Sequence, residues 1–124
     1  MNVMMVFEDG TLVTPPLDTG TILHGITRDS LLTLARDNGL SVKEERYAID
    51  QLYADAAAGR LKEVFACGTA AVVTPIGTFK SAQGDCTIGD GKSTVPVTAT
   101  LRQTLCDIQF GRTNDPHSWV KRVV

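Results

Sequence analysis

Phe65-Ala66-Cys67-Gly68-Thr69-Ala70-Ala71 is the stretch on which the fold turns. An apolar run from Val64 to Cys67 stops at a glycine, opens into a threonine and two alanines, and resumes as the β-branched run Val72-Val73-Thr74. Two such runs separated by small residues predict buried strands joined by a tight turn. Gly68 offers backbone geometry closed to other residues. Ala70 and Ala71 keep side chains clear, so successive amide N–H groups can approach an anion, and the Thr69 hydroxyl can donate to the same anion. The turn has two readings: a cradle for phosphate or carboxylate, and a tight corner kept small for packing.

Outward from this turn, Asp9-Gly10 is a hairpin signal between a strand over residues 3–7 and a short one over 11–14, which Pro15-Pro16 ends. Asp18-Thr19-Gly20 is loop. Thr27 reads as the N-cap of a helix; Leu31, Leu34 and Ala35 follow at helical spacing and Asn38-Gly39 stops it. Residues 42–49 alternate with charges on both parities, which predicts an exposed or edge strand. Asp50 reads as the cap of a second, alanine-rich helix that runs to Ala58 and is closed by Gly59.

Strands over 61–67 and 71–76 enclose the Gly68 turn. Residues 77–94 are polar and glycine-rich, with hairpin-like turns at Gly84-Asp85 and Asp90-Gly91. Pro96 fits the first turn of a third helix, whose Val97, Leu101, Leu105 and Ile108 share a face; Gly111 ends it and a short tail carries Trp119. The order β, β, α, β, α, β, β, α, without repeat or linker, predicts one α+β (mixed α/β) domain.

Composition works by exclusion. Of 124 residues, 43% are hydrophobic and 21% charged, a globular balance. A net charge of −2 and a pI near 5.6 give no electrostatic case for nucleic acid. No apolar run approaches the roughly 18 residues needed to cross a bilayer. The start, Met1-Asn2-Val3-Met4-Met5-Val6-Phe7-Glu8, lacks a basic leader region and reads as a buried strand. Cys67, Cys86 and Cys106 are odd in number and widely spaced, so each reads as a small buried hydrophobe. That pattern fits a reducing, cytoplasmic compartment, and no metal site is expected.

A second anion signal lies upstream. Leu23-His24-Gly25-Ile26-Thr27-Arg28-Asp29 is a glycine-containing loop that opens a helix. The free N–H groups at that start, led by Ile26 and Thr27, suit a phosphate at the positive end of the helix dipole. The same residues also fit an ordinary capped surface helix, with Asp29 stabilising the first turn. Asp29 opposes an anion there, and Arg28 offsets its charge. Two anion signals in one small domain point to a shared ligand with two anionic groups.

Three segments together resemble a known family. Residues 21–32 (Thr21-Ile22-Leu23-His24-Gly25-Ile26-Thr27-Arg28-Asp29-Ser30-Leu31-Leu32), residues 63–75 around Gly68-Thr69-Ala70, and Leu105-Cys106-Asp107-Ile108-Gln109-Phe110-Gly111-Arg112 resemble the branched-chain amino-acid aminotransferases. These are fold type IV enzymes of pyridoxal 5′-phosphate (PLP). Met1-Asn2-Val3 and Thr14-Pro15-Pro16-Leu17 also fit, so the resemblance runs over nearly the whole chain. The Gly-Ile-Thr-Arg and Gly-Thr-Ala motifs are shared across fold type IV. The 107–112 segment and the tail Asp115-Pro116-His117-Ser118-Trp119 point to the branched-chain subgroup.

The resemblance implies the C-terminal PLP-binding domain of the D-amino-acid-aminotransferase-like fold. It implies that Gly25, Ile26 and Thr27 hold the cofactor phosphate, that Leu23 packs against the pyridine ring, and that Thr69 lies near the phosphate. Gly68, Thr69 and Ala70 would form the turn facing the substrate α-carboxylate. The implied reaction exchanges an amino group between leucine, isoleucine or valine and 2-oxoglutarate, giving branched-chain 2-oxo acids and glutamate. A homo-oligomer without nucleic-acid or membrane partners is implied as well.

The departures carry weight. His24 stands where many members have proline, and Ala71 and Thr74 replace the paired cysteines of some animal relatives, so no redox switch is implied. Members are more than twice as long, and this chain matches their final portion. Their Schiff-base lysine, the glutamate paired with the pyridine nitrogen and the arginine that clamps the phosphate all lie upstream of the match to Met1. Lys43, Lys62, Lys80, Lys92 and Lys121 match none of these and read as solvated surface charge.

No catalytic residue is therefore assigned, and the isolated chain is expected to be inactive. D-amino-acid aminotransferases and aminodeoxychorismate lyases share the two glycine motifs without the 107–112 segment. From another class, a non-catalytic binding or assembly domain that has kept the fold remains an alternative. Apolar strands exposed on such a portion favour self-association.

Overall fold

Along β1 (Asn2–Phe7), Met4 and Val6 enter one apolar cluster while Met5, with Val3 and Phe7, enters another. Strand periodicity sends successive side chains to opposite faces, so this strand is covered on both sides. The chain is described by a computed structural model over residues 1–91 and 95–124. β1 is the centre of a five-stranded sheet, flanked by β2 (Thr11–Thr14) and β4 (Leu61–Gly68), with β3 (Ser41–Glu44) and β5 (Val72–Pro75) at the edges. All pairings are antiparallel except β2 with β3. A register shift opposite Val6 and Phe7 skips Lys62, which brings Leu61 onto the same face as Val64.

The two faces carry different covers. α1 (Ile26–Asp37) and α3 (Pro96–Gln109) pack Leu31, Leu32, Leu34, Ala35, Leu101, Leu105 and Ile108 against Met4, Leu12, Phe65 and Cys67. On the other face, α2 (Ile49–Ala57) and the hairpin β6 (Thr78–Ser81) to β7 (Gly84–Thr87) bring Leu52 and Cys86 onto Met5, Val13 and Val64. Each fully buried leucine contributes about 1.5–3 kcal/mol. The result is the expected α+β architecture; Cys67 and Cys86 are buried as expected, which pushes both thiols up, whereas Cys106, expected to be buried too, is only half-buried.

Several element ends differ from expectation. The strand foreseen over 42–49 stops at Glu44, because its partner β2 ends at Thr14 and the prolines that follow can donate nothing to a ladder. It is nevertheless an edge strand, as its charges predicted. α1 starts two residues early, with Gly25 rather than Thr27 at the N-cap, and α2 starts at Ile49 behind Ala48, with Asp50 inside its first turn. In the polar stretch the hairpin turns at Ala82-Gln83, Gly84 opens β7, and residues 92–94 lie outside the described residues.

The tail folds back on the domain. Asp115 accepts the N–H groups of Val120 (2.7 Å) and His117 (3.3 Å), bonds that hold its carboxyl below the usual range. The imidazole of His117 stacks on Trp119 at 4.6 Å and meets Asp37, at the end of α1, at 2.7 Å.

Candidate functional site

The amino end of α1 has no side-chain cap. Gly25 N–H donates to the Leu23 carbonyl (2.8 Å), and the first bond into the helix is Asp29 N–H to the Gly25 carbonyl (3.0 Å). The N–H groups of Ile26, Thr27 and Arg28 thus fall in the first turn, where helical geometry supplies no partner, and the dipole adds positive potential. Leu23 and Ile26 flank this end with 69% and 85% exposure, leaving apolar surface beside the free amides. Arg28 was expected to offset Asp29. Instead it is buried and donates to Pro15 O (3.0 Å) and Glu44 (2.7 Å), because a guanidinium inside the fold needs acceptors there. Asp29 remains exposed.

At the second loop β4 runs through Gly68, Thr69 and Ala70 are exposed at the turn, and β5 starts at Val72. Gly68 does not take the left-handed backbone expected of it; that conformation falls on Val72, at φ 53°. What Gly68 provides is room: a Cβ there would lie 3.2 Å from Met1 Cγ. Val72 packs against the core, so the turn is anchored by an apolar side chain on a strained backbone. The Thr74 hydroxyl donates to the Ala71 carbonyl (3.2 Å), which ties the far side of the turn.

Both loops meet the start of β1. Asn2 pairs with Cys67, next to Gly68, and its side-chain Nδ2 donates to the Leu23 carbonyl at 3.3 Å. A Cβ on Gly25 would lie 2.9 Å from that same Nδ2. The structure therefore gathers Leu23, Gly25, Ile26, Thr27, Gly68, Thr69 and Ala70 at one end of the β1–β4 pair. Among the described residues it brings no lysine there: Lys62 sits at the opposite end of β4, and Lys43, Lys80 and Lys121 lie on β3, β6 and the tail, while Lys92 lies outside the described residues. Among the described residues, no group of His, Cys, Asp and Glu could hold a metal, and no helix is long and apolar enough to cross a membrane.

Two polar residues escaped the sequence reading. Asn2 is 8% exposed and Glu63 3%. The signal was present in both, since an amide or carboxylate inside an apolar strand needs a partner. Glu63 finds it at the amino end of α3, accepting from Val97 N–H and Thr98, so that helix start is occupied by the protein's own carboxylate. A cavity of about 560 Å³ lies beside this cap, between Phe7, Lys62, Gly89 and Pro96, far along the strands from the two glycine loops.

Known proteins resemble this chain in sequence and fold. The family model for amino-transferase class IV matches residues 1–79. A probable branched-chain-amino-acid aminotransferase of Streptomyces coelicolor is 51% identical over 97% of this chain and 32% of its own length. The branched-chain-amino-acid transaminase 1 of Bacillus subtilis is 43% identical over 99% of this chain and 34% of its own. Among solved structures, the Escherichia coli branched-chain amino acid aminotransferase superposes with a TM-score of 0.78 at 35% identity, over 98% of this chain and 37% of that one. The T.th. branched-chain amino acid aminotransferase, complexed with N-(5′-phosphopyridoxyl)-L-glutamate, gives 0.80 at 32% identity, over 99% and 37%. The chain spans about a third of the length of the relatives it matches. With a family model covering more than half of its residues and the same fold in solved members, the chain belongs to the class IV aminotransferases.

Proposed function

We propose that this chain is the C-terminal, anion-holding portion of a PLP-dependent branched-chain amino-acid aminotransferase, and that residues 1–124 alone do not catalyse the reaction. The observation that carries this is the convergence of two amide-bearing loops on the start of β1. In this reading one loop takes a cofactor phosphate and the other an amino-acid carboxylate.

The residues fit the cofactor. An uncapped helix start flanked by an exposed leucine and an exposed isoleucine matches a phosphate joined to a flat apolar ring. In this reading the N–H groups of Ile26 and Thr27, with the Thr27 hydroxyl, hold the phosphate, Gly25 lets it approach, and Leu23 lies against the ring. Thr69 stands near the phosphate, and Gly68, Thr69 and Ala70 turn their amides to the α-carboxylate. Bound there, PLP supplies the electron sink that amino-group transfer requires. The residues of this chain bind and orient; none of its described lysines reaches the two loops.

The substrates that follow are leucine, isoleucine or valine with 2-oxoglutarate, in a cytoplasmic homo-oligomer. The names of the relatives support the branched-chain reading over D-amino-acid aminotransferase or lyase chemistry. The test mixes the purified chain with PLP, leucine and 2-oxoglutarate and follows glutamate. No turnover is expected, and Thr27→Ala should lower the affinity of the chain for PLP about tenfold. Turnover by the chain alone, or PLP binding indifferent to Thr27, overturns the proposal.

A further inference from the structure

We infer that Asn2 is the positioning residue of the phosphate loop, acting through the carbonyl of Leu23; this rests on the reading of the α1 start as the phosphate site. The Leu23 carbonyl accepts two hydrogen bonds, one from Gly25 N–H at 2.8 Å and one from Asn2 Nδ2 at 3.3 Å. The first closes a three-residue turn immediately before the helix. The second crosses from β1 and fixes the plane of the Leu23 peptide against the sheet.

A short turn has few ways to stay in one geometry. Without Asn2, the Leu23 carbonyl keeps only the bond from Gly25 within its own short turn, and nothing ties that turn, or the direction of the next amides, to the sheet. Asn2 is well placed to prevent this because its own backbone is held in the β1–β4 ladder opposite Cys67. It is 8% exposed, so the constraint comes from a packed side chain rather than a solvated one.

Gly25 completes the device. Its backbone, at φ −73° and ψ 134°, is one that any residue adopts, so conformation does not call for glycine here. Space does: a Cβ would stand 2.9 Å from Asn2 Nδ2 and would displace the amide from Leu23. Asn2 and Gly25 therefore act as one unit, the amide reaching the carbonyl only because residue 25 has no side chain. Asn2 touches neither phosphate nor substrate in this account; it holds the loop that does.

The experiment titrates inorganic phosphate into the ¹⁵N-labelled full chain and follows the amide resonances of Ile26 and Thr27. In the parent they should shift saturably. In Asn2→Ala the affinity should fall about tenfold, the worth of one positioning hydrogen bond, while resonances of α3 and β5 stay unchanged. Gly25→Ala should weaken binding by a similar factor in the parent and add little in the Asn2→Ala background, because the two act through the same contact.

Equal phosphate affinity in parent and Asn2→Ala overturns the inference and leaves the phosphate reading intact. Silence of Ile26 and Thr27 in the parent overturns both. If Asn2→Ala does not fold, Asn2→Thr decides, since a β-branched residue suits the strand and lacks the Nδ2 donor: undiminished affinity overturns the inference, and a loss of about tenfold supports it.

Discussion

The carboxylate of Glu63, on the interior strand β4, closes the amino end of α3 through Thr98. Oε2 accepts both the Thr98 N–H (2.8 Å) and its hydroxyl (2.7 Å), while Oε1 accepts Val97 N–H (3.0 Å). α3 has no side-chain cap of its own, so a residue 35 positions upstream supplies one and ties helix to sheet. Charged hydrogen bonds of this kind contribute about 1.5–3 kcal/mol each, and a negative group at a helix start adds to them. Glu63→Ala should therefore cost roughly 3 kcal/mol in urea unfolding, and Thr98→Val about 1 kcal/mol. A loss under about 1 kcal/mol for Glu63→Ala would show that the cap is ornamental.

Asp55 anchors the opposite face, accepting from Tyr47 Oη (2.6 Å), Gln51 Nε2 (3.1 Å) and Arg60 Nε (2.9 Å). The Tyr47 bond, then Arg60 and Gln51, hold its carboxyl below the ordinary 3.8, against the effect of burial. Tyr47 moves the other way, its phenol pushed above 10.0 first by burial and then by Asp55. The signs are opposite. A lowered carboxylate stabilises the fold above its unfolded value, and that contribution fades as pH falls through the folded one. A raised phenol stabilises below its unfolded value and fades as pH rises. Stability should form a plateau between these limits, and Tyr47→Phe should lower the plateau while flattening both of its edges. Melting temperatures across about pH 3 to 11 check this, and parallel profiles for parent and variant would refute it.

Much of this fold was legible because apolar spacing reports burial directly. Leu31, Leu34 and Ala35, and Leu101, Leu105 and Ile108, are core residues at the positions their helical spacing gave. The two glycine loops were legible as a turn after β4 and a loop opening α1, and each kept a packing or capping reading beside the anion one. What could not be read locally were contacts between distant residues. Asn2 with Leu23, Glu63 with Thr98 and Arg28 with Glu44 each join residues 16 to 35 positions apart. Nothing near a buried polar residue says which distant amide or carboxylate will meet it. Element ends failed for a related reason, as with β3, whose length was set by where β2 ran out of donors.

The turn between β4 and β5 holds the last test, because its strain falls where the sequence put none. Val72 stands at φ 53°, a conformation that costs a β-branched residue about 1–2 kcal/mol, while its neighbour Val73 is 1% exposed. The same substitution at the two positions should have unequal effects. Val72→Gly loses some packing but removes the strain, and should fall within about 1 kcal/mol of the parent. Val73→Gly opens a cavity in the core and loosens an ordinary strand, at a cost of roughly 3 kcal/mol. Urea unfolding of the pair measures the difference. Equal losses would mean that Val72 is not strained and that the 69–71 turn is held by packing alone. The predicted inequality instead ties the shape of the loop to a backbone that glycine adopts freely and valine adopts only because its side chain is held in the core.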